Sequence, residues 1–166
     1  DDGKELRSEN YQDWIDKWDS RSETEFSEVR QRIAGLKTKP LISVLMPVYN
    51  TPERFLRESI DSVRAQIYEN WELCIADDCS TKPYIRKMLE RYGAEDKRIK
   101  IDFRKTNGHI SRATNSALAL AKGEWIALLD HDDVLSPTAL AEVACHLADH
   151  PDTEIVYSDE DKLGRT

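Results

Sequence analysis

Apolar positions recur along this chain in two rhythms, and the change comes at Pro40. Before it, Tyr11, Trp14, Ile15 and Trp18 fall at helical spacing, and Phe26, Val29, Ile33 and Leu36 mark the face of a second helix. Ser22-Glu23-Thr24-Glu25 has the form of a capping box that starts this second helix, and Gly35 weakens its end. Lys37-Thr38-Lys39-Pro40 reads as a linker. The pattern predicts a helical extension over residues 1–39 and a separate domain over 40–166. The stripe Tyr11/Trp14/Trp18 fits a sugar-stacking platform, a docking face for another domain, or a helix packed on its own domain.

After Pro40, strand and helix patterns alternate. Leu41 to Met46 is a continuous apolar run, as in a strand covered on both faces, and it ends at Pro47-Val48-Tyr49-Asn50. Thr51 as N-cap with Pro52 at N1 then starts a helix whose face carries Leu56, Ile60, Val63 and Ile67. Asn70-Trp71 opens a strand over Glu72 to Ala76, which ends at Asp77-Asp78-Cys79-Ser80. Thr81 and Pro83 start a helix with Ile85, Met88, Leu89 and Tyr92 on one face. Ile99, Ile101 and Phe103 alternate with charged residues, which predicts an edge or half-exposed strand. Asn107-Gly108-His109 is a turn signal. Ala113, Ala117, Leu118 and Ala121 mark a helix with Gly123 at its C′ position. Trp125 to Leu129 reads as a buried strand that ends in Asp130-His131-Asp132-Asp133. Ser136-Pro137 caps another helix with Leu140, Val143, Ala144 and Leu147 inward, and Pro151 breaks it. Ile155-Val156-Tyr157 is a last strand before Ser158-Asp159-Glu160-Asp161.

This order predicts an α/β fold with a mostly parallel sheet, helices on both faces and right-handed crossovers. Ligands in such sheets bind outside the carboxyl ends of the strands. The clusters at Pro47–Asn50, Asp77–Ser80, Asp130–Asp133 and Asp159–Asp161 each follow a strand, so the topology collects them on one rim.

With 166 residues, 39% hydrophobic and 34% charged, the chain suits one domain with a core and a well-charged surface. A net charge of −8 argues against nucleic acid or an anionic membrane as main partner. It is compatible with a nucleotide held through a metal, which supplies the positive charge. Cys74, Cys79 and Cys145 are odd in number and lack C-x-x-C spacing, which points away from a disulfide framework and from zinc. Cys74 and Cys145 fall at apolar positions and are expected to be buried. The default compartment is the reducing cytoplasm. No apolar run approaches the ~20 residues of a membrane span, and no signal-peptide pattern is visible. The start at Asp1 and the polar stretch ending at Thr166 suggest a piece of something longer.

There is no G-x-G-x-x-G after the first strand, no P-loop, and no serine or cysteine elbow. What remains is carboxylates and a few donors. Asp130 and Asp132 are two apart and share a side of a strand-like segment; His131 between them is a candidate for the metal or the nucleotide site, although alternation would point its side chain the other way. Together with a diphosphate they could hold one Mg²⁺ or Mn²⁺ that keeps several waters; the alternative is a solvated acidic loop. Asp77 and Asp78 point opposite ways, so one can accept from a base N–H or ribose hydroxyl while the other holds the loop. Asp-Asp-x-Ser is equally a good turn sequence. Arg112 is a candidate for a phosphate or carboxylate on the rim, or a plain surface arginine.

From Pro40 to Lys162 the chain resembles the nucleotide-binding half of a family 2 glycosyltransferase with the GT-A fold, a three-layer sandwich. The matching motifs are Ser43–Asn50; Trp71-Glu72-Leu73 leading to Asp77–Ser80; Asn107–Asn115; and Gly123-Glu124-Trp125 running into Asp130–Asp133. The resemblance implies transfer of a sugar, with inversion, from a UDP- or dTDP-sugar to a hydroxyl of a carbohydrate or lipid-linked acceptor. It implies that Pro47, Val48, Tyr49 and Asn50 line the nucleoside pocket and that Asp78, more than Asp77, accepts from the base. Asp130-His131-Asp132 matches the D-x-D motif, with Asp132 the direct ligand of Mn²⁺ or Mg²⁺ and Asp130 nearer the ribose or a metal-bound water. Gly108, within the Asn107–His109 turn, and Arg112 would border the diphosphate. Tyr157 to Lys162 is similar to members that build bacterial surface polysaccharides.

The metal would neutralise the departing diphosphate, and a carboxylate base would take the acceptor proton. In the family that base lies further beyond the metal motif than Thr166 reaches. The chain is therefore expected to bind nucleotide and metal and to transfer sugar poorly or not at all. The full-length protein is expected in the cytoplasm or at the inner membrane face. A reading in another class is a non-catalytic nucleotide-sugar-binding or scaffold module of a multidomain polymerase, docked through the Trp14/Trp18 helix. A sugar-phosphate nucleotidyltransferase would want a Gly-rich basic loop where Pro47–Asn50 stands. A receiver domain would want an acid at Pro47.

Overall fold

The computed structural model describes residues 23–158. The Tyr11/Trp14/Trp18 stripe, Ser22 of the capping box and the Asp159–Asp161 cluster lie outside the described residues. The chain forms two compact units, residues 1–35 and 36–166. In the first, helix α1 spans Glu23–Gly35, with Glu23 and Glu25 in its first turn as the helix dipole favours.

The second unit runs β1 (Ile42–Val48), α2 (Glu53–Arg64), β2 (Trp71–Asp77), α3 (Pro83–Glu95), β3 (Ile99–Phe103), α4 (His109–Leu118), β4 (Trp125–Leu128) and α5 (Ala139–Asp149). Four parallel strands lie in the order β3-β2-β1-β4. The continuous apolar runs take the middle: every residue of β1 and β2 is buried, on both faces. The alternating run takes an edge, where only Ile99 of β3 is buried. Ala113 and Ala117 of α4 pack on Leu45, Cys74 and Ala76, and these methyl-sized contacts let the helix sit close to the sheet. Leu56, Ile60 and Val63 of α2, and Ile85 and Leu89 of α3, complete the core as their spacing predicts. Cys74 and Cys145 are buried free thiols, and burial pushes the Cys74 thiol up to about 11.

Several elements differ from expectation. β4 is an edge strand of the described sheet rather than a buried one, and Ile126 and Leu128 are 42% and 73% exposed. The register sets them beside Ser43 and Leu45, so their apolar character marks a face that neighbouring cover does not reach. Ile155-Val156-Tyr157 is not a strand; all three side chains are exposed, and strand-forming residues without a paired ladder do not make one. α2 starts at Glu53 with Pro52 as its N-cap residue, while the buried Thr51 hydroxyl has no hydrogen-bond partner. α5 starts at Ala139, after a turn over Pro137 and Thr138. Gly123 is not at the C′ position of α4, whose C-cap is Ala119. Its role is close approach: a Cβ there would lie 2.4 Å from the Leu41 carbonyl oxygen and 2.6 Å from Ser43 Oγ.

The turn that feeds β4 is tied to the sheet through one buried carboxylate. Glu72 accepts from Ser43 Oγ at 2.7 Å, from the Gly123 N–H at 3.3 Å and from the Lys122 N–H. Lys100 Nζ pairs with the same carboxylate and also donates to the Leu120 carbonyl at 3.1 Å. Burial pushes the Glu72 carboxyl up, but the bonds from Lys100, Ser43 and Lys122 outweigh it and hold it below its ordinary value.

Candidate functional site

The carboxyl ends of the strands surround a cavity of about 490 Å³. Pro47, Val48 and Tyr49 line it from the end of β1, and Asp78 from just beyond β2. Asn107, His109, Ile110 and Ala113 line it from the turn into α4 and from its first turns. Asp130, His131 and Asp132 line it from the loop after β4. Three of the clusters that the strand order places on one rim, those after β1, β2 and β4, thus contribute to the wall of one cavity.

Asp78 is 2% exposed and is held by its surroundings. Arg104 Nε donates to its Oδ1 at 2.7 Å, and the Gly108 N–H bonds both oxygens at 2.9 and 3.0 Å. Asn107 Nδ2 donates to the Asp78 carbonyl at 3.2 Å. Arg104 continues to the Arg112 carbonyl at 3.0 Å and to Ser116 Oγ, so one guanidinium joins β2, the turn and α4. Gly108 must be small here, since a Cβ would lie 2.6 Å from Arg104 Nη2. Arg104 was not singled out from the sequence. Its signal was available: it is a basic residue immediately after a strand, on the same rim as the acids.

Asn50 and Asp77 support the wall without lining it. Asn50 Oδ1 accepts from the Thr81 N–H at 2.9 Å and its own N–H donates to Ser80 Oγ at 3.0 Å, which joins the loops after β1 and β2. Asp77 Oδ1 accepts from the Ser80 N–H at 3.2 Å. The adjacent acids thus divide as expected, one facing the cavity and one holding the loop. Arg112 is not among the lining residues; its Cδ and Cβ lie beside Gly108, 2.8 and 2.9 Å from where a Cβ there would stand. Asn50, Cys79 and His109 have φ of 51°, 62° and 61°, so three left-handed non-glycine residues sit on this one rim.

The side chain of His131 does not point away from its neighbours as strand alternation suggests. It lines the cavity together with Asp130 and Asp132, because residues 131 and 132 form a turn and strand alternation does not apply. Its Nδ1 is buried with no hydrogen-bond partner and lies 3.4 Å from Asp132 Oδ1. Among the described residues no three His, Cys, Asp or Glu side chains converge as a protein-only metal cage. The donor set still fits a hard divalent cation that takes one or two carboxylates and completes its shell with phosphate oxygens and water. Among the described residues no lysine or arginine lines the cavity, while three aspartates do. A diphosphate would meet repulsion here unless a cation accompanied it.

Comparison with known proteins agrees with this geometry. Residues 43–161 match the family model described as glycosyl transferase family 2. The chain is 49% identical over 146 residues to the uncharacterized protein y4gI of Sinorhizobium fredii, covering 88% of this chain and 16% of that protein. It is 36% identical over 144 residues to the O-antigen biosynthesis protein RfbC of Myxococcus xanthus, covering 87% of this chain and 11% of that one. The structure is similar to S. aureus TarS 1-349 in complex with UDP-GlcNAc, with a TM-score of 0.61 and 29% identity. That likeness covers 66% of this chain and 32% of the TarS chain. The chain therefore spans a small part of the relatives it matches.

Proposed function

From a chain that belongs to glycosyl transferase family 2, we propose that the rim cavity is the donor site of an inverting glycosyltransferase. It takes a nucleotide-diphosphate sugar together with Mn²⁺ or Mg²⁺, for synthesis of a bacterial cell-surface polysaccharide. The observation that carries the reading is the opposition of two chemistries in one cavity: a pinned carboxylate at Asp78, and an acidic loop at Asp130–Asp132 where, among the described residues, no lysine or arginine lines the wall. Pro47, Val48, Tyr49 and Ile110 supply apolar surface for a base and ribose. Asp78 has lone pairs beyond those that Arg104 and Gly108 use, and they accept the imide N–H of uracil or thymine. Cytosine presents an acceptor at that position and is disfavoured.

Asp132 would ligate the cation directly, and Asp130 through water or beside the ribose. When bound, the cation offsets the charge of the leaving diphosphate. No base for the acceptor hydroxyl is assigned among the described residues, and we place that step on chain outside residues 1–166. The similarity to RfbC supports polysaccharide synthesis, and the likeness to TarS with UDP-GlcNAc supports a uridine donor.

The test is a thermal-shift panel of UDP, dTDP, GDP and CDP, each with and without Mn²⁺. A ligand at a hundredfold excess over its Kd stabilises by about 2.7 kcal/mol, or several degrees in Tm. UDP or dTDP with Mn²⁺ is expected to give the largest shift. No response to any combination refutes the donor-site reading. Robust transfer to a defined acceptor by residues 1–166 alone refutes the placement of the base.

A further inference from the structure

The acidic loop is tied from outside as well as from within. Residues 133–136 have no regular structure, yet the loop after β4 is bonded at several points by polar side chains of α2 and of the residue just past it. Ser59 Oγ on α2 donates to the Asp130 carbonyl at 3.3 Å, and that carbonyl also accepts the Asp133 N–H at 3.2 Å. One turn on, Ser62 Oγ accepts the Leu135 N–H at 3.1 Å and donates to the Ser59 carbonyl at 2.7 Å. Just past the end of α2, Gln66 uses both ends of its amide. Its Nε2 donates to the Ser136 carbonyl at 2.7 Å and to the Ser62 carbonyl at 3.1 Å. Its Oε1 accepts the Leu140 N–H at 3.0 Å, so a side chain from another element caps α5 where Thr138 makes no side-chain cap. Ser59 is fully buried and Gln66 is 6% exposed, so these bonds form away from competing water.

We propose that Ser59, Ser62 and Gln66 are positioning residues for Asp130 and Asp132: they fix where those carboxylates stand toward a cation. None of the three lines the cavity. The proposal rests on the donor-site reading, since it assigns a purpose to the position of its acidic half. The physical need is clear. Two carboxylates that serve one small divalent ion must be held to within about 0.5 Å, and the loop carrying them has no ladder of its own. The seam replaces that ladder. It fixes the loop at its entry (Asp130), its middle (Leu135, Ser136) and its exit into α5 (Leu140). Asp78 stands on the other side of the cavity wall, held by Arg104, and is independent of the seam.

Calorimetric titration of the whole chain with UDP, with and without MnCl₂, tests this. The readout is the ratio of the two affinities. Gln66→Glu removes the amide donor at nearly constant shape, and Ser62→Ala removes one hydroxyl. In each, the Mn²⁺ enhancement of UDP affinity is expected to fall roughly five- to tenfold, the worth of about one hydrogen bond. UDP affinity without metal is expected to stay within about twofold, and Ser62→Thr to restore the enhancement. Urea unfolding reports whether each variant folds; if Gln66→Glu does not, Ser62→Ala decides. Undiminished enhancement in a folded Ser62→Ala overturns the proposal. An equal fall of both affinities also overturns it, because that marks general loss of structure. Absence of any Mn²⁺ enhancement in the unaltered chain overturns the donor-site reading itself, and this proposal with it.

Discussion

Glu72→Gln isolates one charge in the sheet. The wild-type carboxylate side chain is 7% exposed and takes bonds from Ser43, Lys100, Lys122 and Gly123. Glutamine keeps the shape but turns one oxygen into a donor that faces other donors, and it removes the partner of Lys100. Breaking a fully buried pair costs about 3–5 kcal/mol. Lys100 is 27% exposed and keeps its bond to the Leu120 carbonyl, so part of its charge returns to water. That reduces the expected loss to about 2–3 kcal/mol at pH 7, or roughly 5–10 °C in Tm. The pH dependence follows from the lowered carboxyl. A group whose folded pKa lies below its unfolded value stabilises fully above the unfolded value, here 4.5, and loses this as pH falls through the folded one. The stability gap between wild type and variant should therefore be constant from pH 8 to about 5.5 and shrink below about 4.5. Urea titrations at pH 7 and pH 3.5 measure it. An equal gap at both values, or a gap under about 0.5 kcal/mol at pH 7, refutes the assignment of this charge as the tie between sheet and turn.

Other perturbations separate the two ends of the sheet. Asp78→Asn should weaken metal-free UDP binding about tenfold or more, since it replaces a charged acceptor, and calorimetry reads this directly. Gly108→Ala and Gly123→Ala both introduce a clash, but of different kinds. At Gly108 the obstacles are Arg104 Nη2, which can swing away, and Arg112 Cδ and Cβ, the last of which yields only with a small shift of α4, so the chain should fold with a modest loss of stability and lose UDP affinity as Arg104 shifts from Asp78. At Gly123 the obstacle is the Leu41 backbone, so circular dichroism and urea unfolding should show a loss of about 2–3 kcal/mol or more.

The sheet was legible because its signals are local. Leu41 to Met46 and Glu72 to Ala76 are unbroken apolar runs, and such runs can only be central in a parallel sheet. The rim followed from strand order alone, and with it the meeting of Pro47, Asp78 and Asp130 in one cavity. What failed depends on contacts distant in sequence. The apolar residues of β4 look the same whether or not something covers them, so Ile126 and Leu128 read as buried. Ile155–Tyr157 has strand composition, but pairing is a property of two segments. His131 was aimed by assuming extended backbone where the chain turns. Ser59 and Ser62 interleave with the apolar stripe of α2 and Gln66 follows just past it, where hydrophobic spacing draws attention away from polar residues. Arg104 shows its role only through partners eight or more residues away in sequence.

The left-handed residues on the rim bear on how freely this surface can drift under mutation. Glycine relieves such a backbone at no steric cost, but only where the side chain has no other duty. Asn50 cannot yield to it, because its amide oxygen holds Thr81. His109 cannot, because its ring is part of the cavity wall. Cys79 makes one weak contact, from Sγ to the Lys105 carbonyl at 3.7 Å. Of the three, it is the position open to exchange. A lineage could therefore trade that thiol for hydrogen and gain a relaxed turn beside Asp78, while its two companions stay bound to the residues they now are.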